Sequence, residues 1–270
     1  TSEQEPFGLL LTFAYDAAGD RTSRQDSFGG LLTSTYDALG RLTQRQFGGA
    51  GQTALHENLT WTSRDQLATV SRYNDQGGST LVGTSSYVYD SAMRLLSLQH
   101  AAGSGSVLAS YAYAFDAADR LTSESDDGAT TTYGYDQSNQ LTQSGAASYG
   151  YDATGNRTNT GYQTGAGNQV LNDGTWTYSY DAEGNLLKKS KGPSAETWTY
   201  GYDSDNHLVW AKDQASDGGT LLSLSTYVYD VFGNRIEKDV WTQASGVTTV
   251  SRYGYDGSDA WVDLGASNQL

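Results

Sequence analysis

Ten aromatic residues are each followed directly by an aspartate, and this pair is the first feature of the sequence that could do chemistry. A phenol beside a carboxylate can pass a proton or offer oxygen ligands to a metal ion. A catalytic site is normally a single asymmetric place, so a pair that recurs ten times indicates architecture. The pairs are Tyr15 and Asp16, Tyr36 and Asp37, Tyr89 and Asp90, Phe115 and Asp116, Tyr135 and Asp136, Tyr151 and Asp152, Tyr180 and Asp181, Tyr202 and Asp203, Tyr229 and Asp230, and Tyr255 and Asp256.

The other groups that could act as catalysts or metal ligands are dispersed. The three histidines, His56, His100 and His207, are scattered along the sequence and lack the paired spacing of a zinc site. Asp203 with Asp205 could hold calcium, as could Asp126 with Asp127, but neither pair matches an EF-hand loop and a solvated turn is favoured. The sequence therefore predicts no enzyme activity and no catalytic, cofactor-binding or metal-binding residues.

Tryptophan and arginine residues are candidates for binding. Trp176, Trp198 and Trp210 could stack on a sugar, but the first two stand in register with tyrosine ladders, which favours packing. A carbohydrate-binding or adhesion module using exposed aromatics stays the alternative.

Arginines recur five or six places after the aromatic residue, where stacking on a tyrosine or pairing with the turn aspartate explains them. They are Arg21, Arg41, Arg94, Arg120, Arg157 and Arg235.

The elements that position these residues are β-hairpins. The chain has 270 residues with 32 Gly, 20 Tyr and two Pro, a composition that favours strands with glycine turns. Eleven units, counting a degenerate one from Trp61, start roughly 16 to 29 residues apart, the length of a hairpin and its return loop. The prediction is an all-β fold of tandem antiparallel hairpins, coiled by strand twist into a spiral sheet or partial barrel-like wall.

The fourth residue after each aromatic is predicted to adopt the left-handed backbone conformation that closes a hairpin turn. Ten of the eleven are Gly, Asn or Asp, including Gly40, Gly155, Gly184 and Gly233. Met93 is the exception and is expected to mark a differently shaped turn. The aspartate at the turn entrance is expected to accept backbone N–H groups two or three residues on. Tyr135, Tyr180, Tyr202 and Tyr229 are expected to be largely buried on one aromatic face, with their hydroxyls hydrogen bonded.

Charge and hydropathy exclude several classes of partner. The chain carries 31 acidic and 16 basic residues, a formal net charge of −15, so a nucleic acid partner is not expected. It has no cysteine for a disulfide or thiolate site, and no apolar run of about 18 residues to span a membrane.

The tandem units, such as YDAAGDR from Tyr15, YDALGRL from Tyr36 and YDATGNR from Tyr151, resemble those of the YD-repeat (Rhs) proteins. These are large secreted or surface proteins of bacteria, with teneurins as animal relatives and the cocoon component of insecticidal Tc toxins as cousins. The resemblance covers nearly the whole chain. It implies a β-sheet ribbon that spirals into a hollow shell and, in the toxin members, encloses a C-terminal toxic domain.

One family feature is missing from this sequence. Family shells close with an Asp-Pro self-cleavage motif, whereas Pro6 and Pro193 follow Glu5 and Gly192. Neither self-cleavage nor a particular payload is carried over.

The resemblance sets the functional expectation. Residues 1–270 are predicted to form one repeat domain of about eleven hairpin units, a non-enzymatic structural segment of a secreted or cell-surface protein. Its expected partners are the neighbouring repeats and an enclosed C-terminal payload, as in toxin encapsulation.

Terminal strands near Leu9 to Tyr15 and Trp261 to Leu264 carry few features that block edge pairing. The chain is therefore expected to associate end to end or to fold an end inward.

Overall fold

The computed structural model describes residues 2–49, 51–257 and 259–265, and its long elements are all β-strands. They form two antiparallel sheets, of 14 and ten strands, in which each strand pairs with the next along the chain. This confirms the predicted all-β fold of tandem antiparallel hairpins. The chain divides into two compact units, one around each sheet. No helix of the described residues is long and apolar enough to cross a membrane.

The first unit contains fourteen strands, which pair in sequence order from β1 to β14. They are β1 (Ser2–Gln4), β2 (Leu10–Tyr15), β3 (Arg21–Asp26), β4 (Gly30–Tyr36), β5 (Leu42–Gly49), β6 (Leu55–Trp61), β7 (Leu67–Tyr73), β8 (Leu81–Tyr89), β9 (Leu95–Ala102), β10 (Val107–Phe115), β11 (Leu121–Asp126), β12 (Ala129–Tyr135), β13 (Leu141–Ser144) and β14 (Ala147–Ser148).

The second unit contains ten strands, again paired in sequence order. They are β15 (Tyr162–Thr164), β16 (Val170–Asp173), β17 (Thr177–Tyr180), β18 (Leu186–Ser190), β19 (Thr197–Tyr202), β20 (Leu208–Gln214), β21 (Leu221–Tyr229), β22 (Arg235–Thr242), β23 (Thr248–Asp256) and β24 (Asp259–Leu264). Two short 3-10 turns, Pro6–Gly8 and Ala166–Asn168, also belong to this unit.

The repeated turns close their hairpins in one way. The aromatic residue pairs with the residue six places later, as Tyr36 does with Leu42 and Tyr202 with Leu208, and the strand register shifts just before that pair. Five residues connect the pair, and the fourth residue after the aromatic has positive φ, as predicted. The ten residues are Gly19, Gly40, Asp65, Met93, Asp119, Asn139, Gly155, Gly184, Asn206 and Gly233.

The expectation of a different turn at Met93 is wrong. Its φ is 68°, in the same region as φ at the neighbouring turns, and its backbone N–H donates to the carbonyl of Asp90 in the common pattern. The side chain is 60% exposed, so it has room despite the unfavourable backbone. Hydrogen bonds around the turn therefore outweigh the local preference of one residue.

Two units depart from the pattern. Asp259, the fourth residue after Tyr255, starts strand β24 and pairs with Asp256, so the predicted left-handed residue is wrong there. The positive φ falls instead on Gly257, because this connection is shorter. The unit at Tyr151 keeps its turn, but Tyr151 forms only an isolated bridge to Arg157 outside the strands of either sheet.

The hydrophobic core within each unit is sparse. The buried hydrophobic residues of the described part of the chain are Leu9, Leu11 and Val70 in the first unit and Ala211, Val262 and Leu264 in the second. Each unit is one sheet, and a single sheet offers no second layer to cover its faces. The tyrosines expected to be largely buried, Tyr135, Tyr180, Tyr202 and Tyr229, accordingly lie at intermediate depth.

The terminal strands differ from the expectation. The strand predicted near Leu9 to Tyr15 is β2, and β1 lies outside it as the edge of the first sheet. Leu11 on β2 and Leu264 on β24 are 0% and 1% exposed, so side chains of both strands are covered. Within the second unit, the Phe7 ring of the first 3-10 turn lies 5.1 Å from the Arg252 guanidinium of β23. Association of the chain through its edges stays a prediction.

Candidate functional site

The rim formed by the repeated turns is the most regular surface of each unit, and its aspartates are structural. In the turn after Tyr89, Asp90 Oδ1 accepts the N–H groups of Ala92 at 2.8 Å and Arg94 at 2.9 Å. The acceptor reaches residues two and four places on, rather than the predicted two or three. The degenerate unit does the same with the hydroxyl of Thr62. The aspartates with both bonds are Asp16, Asp37, Asp90, Asp116, Asp136, Asp152, Asp203 and Asp230.

These hydrogen bonds favour the charged carboxylate. The backbone N–H of Arg94 lowers the pKa of Asp90, with further help from the Arg94 side chain. The backbone and side chain of Asn156, together with Thr154, lower the pKa of Asp152 to about 2. Asp90 and Asp152 are therefore ionised acceptors at neutral pH, which suits a turn scaffold better than proton transfer.

The fifth residue after the aromatic joins one turn to the next. Arg94 donates from Nε to Asp90 of its own turn at 2.7 Å and from Nη1 to Asp119 of the next turn at 2.7 Å. Its guanidinium thus spans two hairpins as a fork. Equivalent links join Arg41 to Asp65 at 2.7 Å, Arg120 to Asn139 at 3.0 Å and Asn185 to Asn206 at 2.8 Å.

Sequence analysis missed these turn-to-turn links, although the sequence contains a signal for them. In four of the five places where the fourth residue is Asp or Asn after an Arg or Asn in the preceding unit, it serves as both the left-handed residue and the acceptor, as Asp119 does for Arg94. Asp259, which starts β24, is the exception. Glycine at the same place satisfies only the backbone requirement. The pairing of the fifth residue of one unit with the fourth of the next therefore predicts a link.

The arginines form two classes by position. Those five places after the aromatic bind the turn aspartate and also lie over the ring that begins the next unit, as Arg94 lies 4.9 Å from the Phe115 ring centre. Those six places after the aromatic lie over aromatic rings as well. The guanidinium of Arg157 lies 3.8 Å from the Tyr149 ring centre, and that of Arg235 lies 5.6 Å from Tyr227 and 5.2 Å from Tyr253. Stacking on an aromatic ring therefore occurs at both positions.

A second set of links uses the aromatic residue that begins each unit. The hydroxyl of Tyr229 donates to the carbonyl of Leu208, the sixth residue of the preceding unit, at 2.9 Å. Tyr36, Tyr135, Tyr202 and Tyr255 make the same link, and Trp61 makes it with its indole N–H. Tyr180 donates to Val170. The predicted hydrogen bonding of Tyr135, Tyr180, Tyr202 and Tyr229 is confirmed.

The three candidate sugar-stacking tryptophans do not converge on one surface. Trp198 pairs with Asp213, three residues from Trp210 on β20, so Trp198 and Trp210 lie on opposite faces of the sheet. The Lys189 ammonium lies 4.6 Å from the Trp176 ring centre and 5.4 Å from that of Trp198. Trp176 and Trp198, which share a face, therefore both make a cation–π contact with Lys189.

The three histidines have different surroundings. His56 is 3% exposed, with Nδ1 2.9 Å from the carbonyl of Gln76. His100 Nδ1 is 2.8 Å from Ser85 Oγ, but Ser85 is fully buried and also accepts from Arg72 at 2.7 Å. The Ser85 hydroxyl is therefore held between the guanidinium of Arg72 and the imidazole of His100. His207 lies on the turn rim beside Asp203.

Comparison with known proteins gives one family and one type of fold. The family model of the teneurin YD-shell matches residues 9–245. The chain is similar to the crystal structure of TcdB2-TccC3-TEV, with a TM-score of 0.57 and 15% identity. It is also similar to the Photorhabdus luminescens Tc holotoxin pore, with a TM-score of 0.53 and 14% identity. Each match covers 97% of this chain and 17% of the other, and at this identity it concerns the fold. No curated sequence matches the chain.

Proposed function

The chain belongs to the teneurin YD-shell family, and from this premise we propose that it forms a stretch of wall in an encapsulating shell of a longer polypeptide. The proposed role is structural and non-enzymatic. The proposed location is the cell surface or the secreted fraction, and residues 1–270 are proposed to act as one repeat domain. The similarity to TccC3-containing structures, of which this chain spans 17%, supports a wall segment.

The turn-to-turn links are the observation that carries this proposal. A wall one sheet thick cannot depend on a deep core, so its hairpins need support from within the layer. Arg41, Arg94 and Arg120 supply it at the hairpin tips, and the tyrosine hydroxyls supply it at the first residue of each return strand. Such links resist the splaying of neighbouring hairpins.

Two partners follow from this role. Neighbouring repeats of the parent polypeptide would extend the wall, and a C-terminal payload would lie inside the shell. The formal charge of −15 makes an acidic lining available, but the sequence does not specify the payload.

Protease protection tests the proposal in the full polypeptide that carries residues 1–270. We expect a region enclosed by the shell to resist protease, and the double variant Arg94→Gln and Arg120→Gln to shorten that protection by loosening three adjacent hairpin tips. Arg45→Gln is the control for the loss of a guanidinium away from the turns, because Arg45 is exposed on β5; it removes one of the two charges that the double variant loses. Equal cleavage of the parent and the double variant, with native circular dichroism in both, would contradict the wall role.

A glycan array tests the carbohydrate alternative separately. The opposed positions of Trp198 and Trp210 do not favour it. Binding that Trp198→Ala or Trp210→Ala abolishes would support adhesion instead of a wall.

A further inference from the structure

The turn between β19 and β20 differs chemically from the other turns of the rim. It places Asp203, Asp205 and His207 at the first, third and fifth places after Tyr202. One oxygen or nitrogen atom from each of the three side chains lies within 4.8 Å of the others, and no other such trio occurs among residues 2–49, 51–257 and 259–265. Three potential ligands therefore meet on one five-residue turn.

The closest two atoms have the separation expected of ligands to a shared metal ion. His207 Nδ1 lies 3.1 Å from Asp203 Oδ2. Ligands bonded at about 2.0 to 2.2 Å to one ion, with angles between octahedral and tetrahedral, stand about 3.0 to 3.5 Å apart. Asp205 is exposed, so its carboxylate is free to rotate toward them.

Other turns of the rim use the same places for different chemistry. The fifth place is Asn185 in the preceding unit and Asn234 in the following one, and both donate an amide N–H to the turn aspartate. His207 makes the same contact through Nδ1, but a deprotonated Nδ1 can bind a metal ion that takes the place of the proton between it and Asp203, which an amide N–H cannot do. Its ring stacks on Tyr229 with centroids 4.6 Å apart, which fixes its orientation.

The trio also borders open space. Asp203, Asp205 and His207 line a cleft of about 440 Å³ with Tyr229 and Asp230 of the next turn. Water entering this cleft could complete the coordination of an ion. Two carboxylates alone would suit Ca²⁺, which takes oxygen ligands, whereas the imidazole nitrogen favours a first-row transition metal ion.

We propose that Asp203, Asp205 and His207 bind a divalent transition metal ion, with Zn²⁺ as the reference ion and water in the remaining positions. The site fastens the third residue of the turn to its first and fifth. It is independent of the shell role, because an ion could bind here whether or not the chain encloses a payload.

Calorimetric titration of the whole chain with ZnCl₂ tests the site. We expect one site that His207→Asn weakens at least tenfold, because asparagine occupies the same place in the adjacent turns and keeps the hydrogen bond. Asp205→Ala should also weaken it. Glu183→Ala is the matched control, since Glu183 holds the third place of the preceding turn and its loss changes the charge equally.

Two further measurements identify the ligands. With Co²⁺ as the probe, we expect a visible absorption band that His207→Asn removes, and Ca²⁺ affinity that this variant leaves unchanged. The double variant Phe232→Asp and Asn234→His should create a second Zn²⁺ site beside Asp230. Absence of Zn²⁺ binding, or equal affinity in the parent and a folded His207→Asn variant, would overturn the proposal and assign any binding to the acidic surface at large.

Discussion

The fourth residue of each repeated turn adopts positive φ, and in some turns it also accepts a hydrogen bond from the preceding unit. Its residue type depends on whether that hydrogen bond is made. Every one of the ten observed residues has positive φ, whether it is Gly40 or Met93. Asp119 adds an acceptor for the guanidinium of the preceding unit, whereas glycine cannot. The residue type at this place therefore reflects both the backbone conformation and the presence of a turn-to-turn link.

Opposite changes at two such turns test the backbone requirement. Gly40→Val should reduce the free energy of unfolding by about 1 to 3 kcal/mol, because φ at Gly40 is 73° and a β-branched residue is strained there. Met93→Gly should leave stability unchanged or raise it by up to about 1 kcal/mol, because the exposed side chain loses little packing. Urea titrations measure both, and destabilisation by Met93→Gly comparable to that of Gly40→Val would contradict the explanation.

The tyrosine links make a second prediction for single residues. Tyr229→Phe should cost about 1 kcal/mol, the usual net contribution of one hydrogen bond, because its hydroxyl donates to Leu208. Tyr227→Phe is the control, since this hydroxyl forms no hydrogen bond among the described residues. Equal losses of unfolding free energy in the two variants would show that the hydroxyl link does not stabilise the hairpin pair.

At the level of the hairpin, a strand position that pairs with a large aromatic residue of the next strand must be occupied by a small residue. Gly201 pairs with Trp210, and a methyl group on Gly201 would collide with the indole of Trp210. Gly201→Ala should therefore destabilise the chain by about 1 to 3 kcal/mol through overpacking. Ser179→Ala, at the same place in the preceding hairpin, should change stability by less than about 0.5 kcal/mol. Thermal melts followed at 218 nm compare the two, and an equal loss would refute the overpacking argument.

The elements that can be predicted from the sequence are those determined by their own few residues. Elements that depend on the flanking strands cannot be predicted in this way. The turns are predictable because glycine, asparagine and aspartate tolerate positive φ and a preceding aspartate binds the turn N–H groups. The unit at Tyr151 has the same local features, yet the TNTG segment after Arg157 contains Asn159 and Gly161, residue types that are depleted in strands, and the unit joins neither sheet. The zinc site proposed at Asp203 could be predicted only in part, because the sequence indicates Asp203 with Asp205 as a possible calcium pair but does not indicate His207 as a third ligand. The sequence shows two acids and a histidine, but only the turn brings their ligand atoms together.

The stability of the whole molecule should depend on pH at both extremes. Burial raises the pKa of Tyr200 to about 12, and a hydrogen bond to Glu124 raises that of Tyr133 to about 12. Both pKa values exceed the ordinary value of 10, so the stability they contribute is complete below pH 10 and is lost as the pH rises to about 12. Unfolding and tyrosinate absorbance should therefore rise together in alkali.

The dependence of stability on low pH comes from the aspartates of the turns. Asp152, with its pKa lowered from 3.8 to about 2, contributes stability above pH 3.8 that is lost as the pH falls toward 2. Asp213 and Asp239 act in the opposite sense, because burial raises the pKa of each. Melting temperatures across the pH range should show a plateau near neutrality. A maximum below pH 4 would show that the turn carboxylates do not dominate.

The edges of the two sheets determine how the whole chain behaves in solution. Edge strands β1, β14 and β15 have only two or three residues, which limits pairing with another chain, whereas β24 has six. We expect the chain to associate through β24 as its concentration rises. Ala260→Lys places a charge on an exposed position of that strand and should shift association to higher concentration, and Ala182→Lys, in an exposed turn, adds the same charge away from any edge. Light scattering across a concentration series measures the average mass of each variant. A monomer at every concentration, or equal effects of the two lysines, would show that β24 is not an adhesive edge.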